Sequence, residues 1–304
     1  MPKGNQNLSV LVTGATGRQG GSVVRALLKK GCHVRAFTRN PDTPAALELQ
    51  QYGVDFAVGD FEDPSSIARA AKKVDAVFLM TTSFEKGPEA EVQQGISVID
   101  AVKKAGVKHI ILTSVASANK STGIPHFDSK YEVEHHLEAS GVPYTIIAPV
   151  SFMENFLSPM ALPSLREGVI SMVLPPERTQ QIIAVADIGS FAATVIERKD
   201  ECIGMRYDIA SEEITGPQIA EILTRVTGRE ISYIERSMDE MRTMGADFAK
   251  MYEWVLNVGY SVDIPALHEQ FPEVGWHTFE SWAMAQDWAQ ILEEKEEPDR
   301  QMYV

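Results

Sequence analysis

Short apolar runs alternate with longer amphipathic segments through the first half of the chain. Residues 8–13 carry a buried-strand pattern, and residues 20–30 a helix with Val23, Val24, Leu27 and Leu28 on one face. Gly31 stops that helix. The same reading predicts strands at 33–38, 55–58, 74–80, 109–113 and 144–148, with helices at 44–51, 64–72, 89–105 and 127–139 between them. These strands lack polar alternation, which predicts a parallel sheet covered by helices on both faces.

After Pro149 the rhythm changes. Strand-like runs at 169–174, 181–185 and 205–209 mix with helices opening at Gly216-Pro217, spanning 239–258 with a break near Gly245, and spanning 278–294. The expected architecture is α/β: a Rossmann-type doubly wound parallel sheet in residues 1–150. A smaller α+β lobe fills residues 151–304, and some of its segments return to the sheet. Trp254, Trp276, Trp282 and Trp288, with Phe271 and Phe279, recur at helical spacing and predict a helical core there.

Composition narrows the function. The net charge is −14, which disfavours nucleic acid and anionic membrane as partners, since both need a basic surface. It leaves room for a local basic pocket. Residues 1–7 are short and polar, and no apolar run approaches the roughly 20 residues needed to span a bilayer. A cytoplasmic, reducing location is the expectation, with Cys32 and Cys202 as buried free thiols. The acidic end, Glu293 to Asp299, reads as a solvated face. His135-His136 reads as surface or packing, because adjacent helix residues do not share a face.

The sharpest motif is Gly14-Ala15-Thr16-Gly17-Arg18-Gln19-Gly20, between a predicted strand and a predicted helix. Gly14 permits a tight turn, Gly17 lets the backbone approach a pyrophosphate, and Gly20 allows close helix–strand packing. The pyrophosphate of a dinucleotide then meets free N–H groups at a helix N-terminus. At the end of the second strand, where an acidic residue usually marks NAD, stand Arg39 and Asn40. A guanidinium there suits a 2′-phosphate, so NADP(H) is expected over NAD(H). Asp60 and Phe61 follow the third strand, Thr81, Thr82 and Ser83 the fourth, and Ser114 the fifth. All stand at carboxyl strand ends, as pocket residues or as turn and cap residues.

These stretches resemble the NmrA-like family of atypical short-chain dehydrogenases, and most closely its NADPH-sensing branch. The resemblance rests on residues 14–22 (GATGRQGGS), 38–41 (TRNP), Gly59-Asp60, 126–134 (HFDSKYEVE) and 141–155 (GVPYTIIAPVSFMEN). It implies NADP(H) held by Gly14 through Gln19, Arg39, Asn40, Asp60, Phe61, Thr81 and Thr82, with Lys130 near the nicotinamide ribose. It also implies a loop of Phe152, Met153, Glu154 and Asn155 over the nicotinamide end. The chain departs from the sensing branch at Asp42, Thr43 and Gln93, where that branch carries basic residues.

Typical short-chain dehydrogenases place a tyrosine four residues before the lysine, on the same helix face. Here that position is His126, while Tyr131 points elsewhere and Tyr144 opens a strand. Either His126 or Lys130 replaces the tyrosine as proton donor, or His126 only caps the helix or lines the cleft. Two functions follow. One is a redox sensor that binds NADP(H) and acts through a protein partner, with residues 117–125 as a flexible stretch that orders around cofactor. The other is an NADPH-dependent reductase of a small quinone, carbonyl or other electrophile. Whether the chain forms a homodimer is open.

Overall fold

The computed structural model describes residues 8–293. The polar stretch before Leu8 and the acidic end after Glu293 lie outside the described residues. The first half runs β1 (Ser9–Thr13), α1 (Arg18–Lys29), β2 (His33–Thr38), α2 (Pro44–Gln51), β3 (Asp55–Val58), α3 (Pro64–Ala70), β4 (Ala76–Met80), α4 (Pro88–Lys104), β5 (Ile110–Thr113), α5 (Pro125–Ser140) and β6 (Tyr144–Pro149). The second runs β7 (Ser151–Phe152), α6 (Leu162–Arg166), β8 (Val169–Met172), β9 (Thr179–Ile183), α7 (Val185–Glu197), α8 (Lys199–Cys202), β10 (Met205–Ile209), β11 (Glu212–Thr215) and α9 (Gly216–Thr227). It closes with β12 (Ser232–Glu235), α10 (Met238–Arg242), α11 (Ala246–Asn257), α12 (Ile264–Gln270), α13 (Phe279–Met284) and α14 (Trp288–Glu293).

The main sheet has the order β10-β6-β5-β4-β1-β2-β3, and every pairing in it is parallel. Its strand order reverses between β1 and β4. That is where an open α/β sheet leaves a crevice beyond the carboxyl ends of its strands. One face packs α1 and α7 in a core that includes Val12, Val24, Phe191 and Ile209. The other packs α3, α4 and α5 around Leu79, Ile99, Val133 and Ile146. The lobe adds a three-stranded sheet, β11-β9-β7, and a β12-β8 pair, closed by α9, α13 and α14.

Met205–Ile209 is the seventh strand of the main sheet, with Met205 opposite Thr145 and Ile209 opposite Pro149, a later segment that returns to the sheet. Two features differ from the sequence reading. Helix α7, which periodicity does not mark, has ten of its 13 residues buried, so it offers no polar stripe to detect. It crosses α1 so closely that a Cβ on Gly189 would lie 2.2 Å from Ser22 Oγ. The expected helix over 278–294 is two helices, because the Asp287 side chain accepts the Gln290 amide at 3.1 Å and starts α14 afresh. The break near Gly245 falls as expected, with Gly245 at φ +118° between α10 and α11.

The stretch 117–125, read as flexible, is anchored at its two ends, while Asn119, Lys120, Ser121 and Gly123 are exposed. Ser117 and Ile124 are buried, residues 118–120 form a 3₁₀ turn, and the Ser117 amide donates to Asp208 at 3.2 Å. The lobe's aromatic residues do form core: Phe271, Phe279, Trp282 and Trp288 are buried, and Trp254 and Trp276 pack against buried clusters. Cys32 and Cys202 are buried and free. No described helix is long and apolar enough to cross a membrane. His135 and His136 pair with different acids, Glu138 and Asp100, and no metal-binding cluster occurs among the described residues.

His109 opens the way to a stability test. It is buried beside β5, and its Nε2 meets Thr145 Oγ1 at 2.8 Å while that hydroxyl donates to the Cys202 carbonyl. The ring is therefore a neutral donor, and burial, with a smaller push from Lys199, lowers its pKa to about 4. Between pH 6.5 and 4 the unfolded chain takes up a proton that the folded chain refuses, so stability falls as pH drops through that window. Chemical denaturation at pH 7 and pH 4.5 should show a smaller acid loss for His109→Gln than for the wild type, by about 2–3 kcal/mol. Equal losses would mean that His109 is not a buried neutral ring.

Candidate functional site

The glycine loop is a turn that only glycine fits. Gly14 adopts φ +61°, and a Cβ there would come within 2.5 Å of Met80 Cε. The Gly17 amide closes the turn on the Gly14 carbonyl at 2.9 Å. A Cβ on Gly20 would lie 2.2 Å from that same carbonyl oxygen, so its absence lets α1 start directly beneath the end of β1. Ala15 is buried and Thr16 is exposed at the tip. Helix α1 begins after Gly17 with no side-chain cap and no acidic residue in its first turn. Its first N–H groups and its dipole are therefore left for an anion.

The carboxyl ends of β2 and β3 flank this loop. Arg39 is half exposed, and its guanidinium forks onto the Glu85 carboxylate at 3.0 and 2.9 Å. That acid was missed by sequence reasoning, because it follows β4 rather than β2. Asn40 is fixed in an Asx turn, its Oδ1 accepting the Asp42 amide at 2.9 Å. Asp60 accepts the Glu62 amide at 2.9 Å, and Phe61 stacks on Phe37 with ring centres 5.8 Å apart.

Lys130 stands at the centre of a buried network. Its ammonium donates to the Thr81 carbonyl at 3.0 Å and to Glu91 Oε1 at 2.7 Å. The Thr81 hydroxyl donates to Oε1 at 2.8 Å and the Ser129 hydroxyl to Oε2 at 2.6 Å. Glu91 is wholly buried. Burial pushes its carboxyl up, but Lys130 and the three hydrogen bonds outweigh that and hold it below the ordinary carboxylate range. Thr82 turns its hydroxyl to the Phe84 amide at 3.2 Å.

His126 sits four residues before Lys130 on α5 and is 7% exposed. Its Nδ1 lies 2.8 Å from both carboxylate oxygens of Asp247, on α11 of the lobe. Among the described residues Nε2 makes no hydrogen bond. The ring also packs against Phe84 and Phe127. Asp247 lies 121 residues away in sequence and carried no local signal. Behind this helix, buried Glu134 accepts from Arg206 at 2.7 Å and pairs with the Ser114 hydroxyl, and Arg206 also binds Asp208. That network fixes the Ser114-Val115 turn.

Both His126 and Lys130 line a cavity of about 540 Å³ between the sheet's carboxyl edge and the lobe. Arg18, Gln19, Thr81, Thr82 and Ser114 share its wall. The Arg18 guanidinium reaches across to the Glu154 carbonyl at 3.2 Å, and Gln19 accepts the Thr113 hydroxyl at 2.9 Å. In the loop after β6, Phe152 and Asn155 face the cavity. Met153 and Glu154 do not. Met153 is fully buried in the lobe, and the Glu154 carboxylate turns to the Val185 amide and the Trp282 indole. Burial pushes that carboxyl up, against the pull of those donors and of Arg18. Tyr252 and Tyr260 also reach the cavity from the lobe. Burial and the nearby Asp208 push the Tyr260 phenol up, which makes it a poor acid near neutrality.

An NmrA-like protein of Dictyostelium discoideum is 32% identical over 239 residues, covering 74% of this chain and 79% of its own. The crystal structure of an NADPH-dependent quinone oxidoreductase from Escherichia coli, complexed with NADPH, aligns with a TM-score of 0.74 at 27% identity. The alignment spans 90% of this chain and 98% of that one. NmrA, a negative transcriptional regulator solved with NADP, shares the fold at a TM-score of 0.77 and 20% identity, over 92% and 95% of the two chains. The NmrA-like family pattern runs through residues 6–283, and the chain belongs to that family.

Proposed function

We propose that this protein is an NADP(H)-dependent reductase of a small conjugated acceptor such as a quinone. The carrying observation is that His126, held by Asp247, and Lys130, held by Glu91, open onto one cavity beside an uncapped helix N-terminus. Residues 1–150 hold the cofactor, and residues 151–304 supply most of the acceptor's wall.

The cradle suits a dinucleotide, since Gly14 turns with φ +61°, Gly20 lets α1 start directly beneath β1, and the first N–H groups of α1 are uncapped. Gly14, Ala15, Thr16, Gly17, Arg18 and Gln19 would hold its pyrophosphate, and Arg39 and Asn40 its 2′-phosphate. Asp60 and Phe61 would border the adenine, while Thr81, Thr82 and Lys130 would meet the nicotinamide ribose. Phe152 and Asn155 would face the ring. When bound, the reduced cofactor supplies a hydride. Lys130 fixes the ribose and places positive charge where the acceptor gains electrons. Asp247 accepts from Nδ1–H and orients the ring, so the protonated Nε2 of His126 can deliver the proton that completes the reduction. An acceptor and a proton thus become the reduced acceptor, and NADPH becomes NADP⁺. Two buried free thiols suit a reducing, cytoplasmic setting.

A sensing function would retain the cofactor site and replace turnover by a protein partner. The missing tyrosine fits that reading, while a histidine with its own carboxylate in that position, opening onto a cavity, favours turnover.

Two expectations follow. In calorimetric titration, Glu85→Gln should tighten NADPH binding by about two- to fivefold and leave NADH unchanged, because Arg39 no longer shares its fork. Equal shifts for both cofactors would remove Arg39 from the 2′-phosphate. His126→Gln should lower kcat by about 10²-fold or more while keeping NADPH affinity, and Asp247→Asn should give a smaller loss. Full activity in His126→Gln would exclude it as the proton donor.

A further inference from the structure

The protein carries 42 acidic against 28 basic residues, yet the cavity reverses that balance. Its wall holds Arg18, Lys130, Arg178 and Arg236 against a single carboxylate, Glu213. Arg18 and Lys130 stand at the cofactor end. Arg178 and Arg236 come from the lobe, one just before β9 and the other just after β12.

These two arginines are held but not neutralised. Arg236 donates Nε to the Ser171 hydroxyl at 2.8 Å, and its amide binds the Met172 carbonyl at 2.7 Å. The Arg178 guanidinium has one distant contact, 3.5 Å to the Val258 carbonyl. Neither forms an ion pair among the described residues. Glu213 is occupied by the Thr179 hydroxyl at 2.6 Å and the Gln181 amide at 3.1 Å. Other arginines of this chain, such as Arg39, Arg198, Arg225 and Arg242, are engaged by carboxylates. Two half-buried guanidinium groups without a carboxylate partner on the wall of a cavity suit an anionic ligand.

The wall around them is soft and apolar. Met172, Met241, Met244, Met251, Phe248 and Tyr252 line the same cavity. Methionine adapts to irregular flat shapes and contacts aromatic rings favourably. The volume falls in the range of sites for small ligands.

We infer that the acceptor is a flat aromatic of two or more rings bearing an anionic substituent, a carboxylate or sulfonate. Arg178 and Arg236 bind that anion, the methionine wall holds the rings, and the reducible end faces Lys130 and His126. This inference rests on the reductase function proposed above and specifies its substrate.

A redox-inert pair separates the two. Naphthalene-2-sulfonate and its neutral sulfonamide can be titrated by calorimetry into the full chain saturated with NADP⁺. The sulfonate is expected to bind about tenfold or more tightly, with the preference weakening as salt rises. The double variant Arg178→Gln/Arg236→Gln should bring the two dissociation constants to within about twofold. The Arg178→Lys/Arg236→Lys variant should restore part of the ratio, which guards against a folding defect. Equal binding of both probes by the wild type, no binding of either, or a preference that survives the Gln variant would overturn the inference. In parallel, NADPH oxidation with 1,4-naphthoquinone and 1,2-naphthoquinone-4-sulfonate reads the reductase function itself. Turnover without an anion preference would leave that function standing and remove the anion subsite. An anion preference without turnover would do the reverse.

Discussion

The buried carboxylate of Glu91 organises the reacting end of the molecule. A carboxylate with no access to water is tolerable only if its charge is matched and its lone pairs are filled. Glu91 sits on α4 and meets those conditions with Lys130 and Ser129 from α5 and Thr81 from the end of β4. Three elements that are distant in sequence are therefore locked around one group, and the lysine of the cavity wall is fixed in place. Removing that acid would strand an ammonium in the wall of the cavity. Once α5 is fixed, His126 is placed one turn before Lys130, and α11 closes over it through Asp247.

A second constraint is the distribution of charge. The chain is strongly acidic as a whole, which suits solubility and disfavours polyanions. The cavity wall instead carries Arg18, Lys130, Arg178 and Arg236, beside the bare start of α1, where an anionic cofactor and its acceptor would lie. The 2′-phosphate corner is the exception. There Arg39 shares its fork with Glu85, and Asp42 and Asp60 stand nearby in sequence or space. Discrimination between NADP(H) and NAD(H) should accordingly be moderate.

The sheet was readable from sequence because its strands are apolar throughout and its helices are mostly amphipathic, with glycine and proline at their boundaries. The glycine loop was readable for the same local reason, since Gly14, Gly17 and Gly20 are demanded by turn and packing geometry within seven residues. What escaped was non-local. Nothing in Met205–Ile209 says that it joins β6 rather than the lobe, and α7 is buried on so many sides that it has no polar stripe. Glu85, Glu91 and Asp247 are ordinary acidic residues in the sequence, and only folding brings them against Arg39, Lys130 and His126. Arg178 and Arg236 likewise come to one cavity only through the fold. Local chemistry therefore marked the glycine turn, while the partners of Arg39, Lys130 and His126 came from tertiary contacts.

The most direct test of the central claim is NADPH oxidation by the purified chain with a naphthoquinone acceptor, using the two stereoisomers of NADPH deuterated at C4 of the nicotinamide. In the proposed reaction, Lys130 and the cavity would hold one face of the ring toward the acceptor. One isomer should therefore react more slowly than unlabelled NADPH and yield NADP⁺ without deuterium, while the other reacts at the normal rate and keeps its label. Oxidation no faster than in the absence of protein, or loss of label from both isomers alike, would contradict the account.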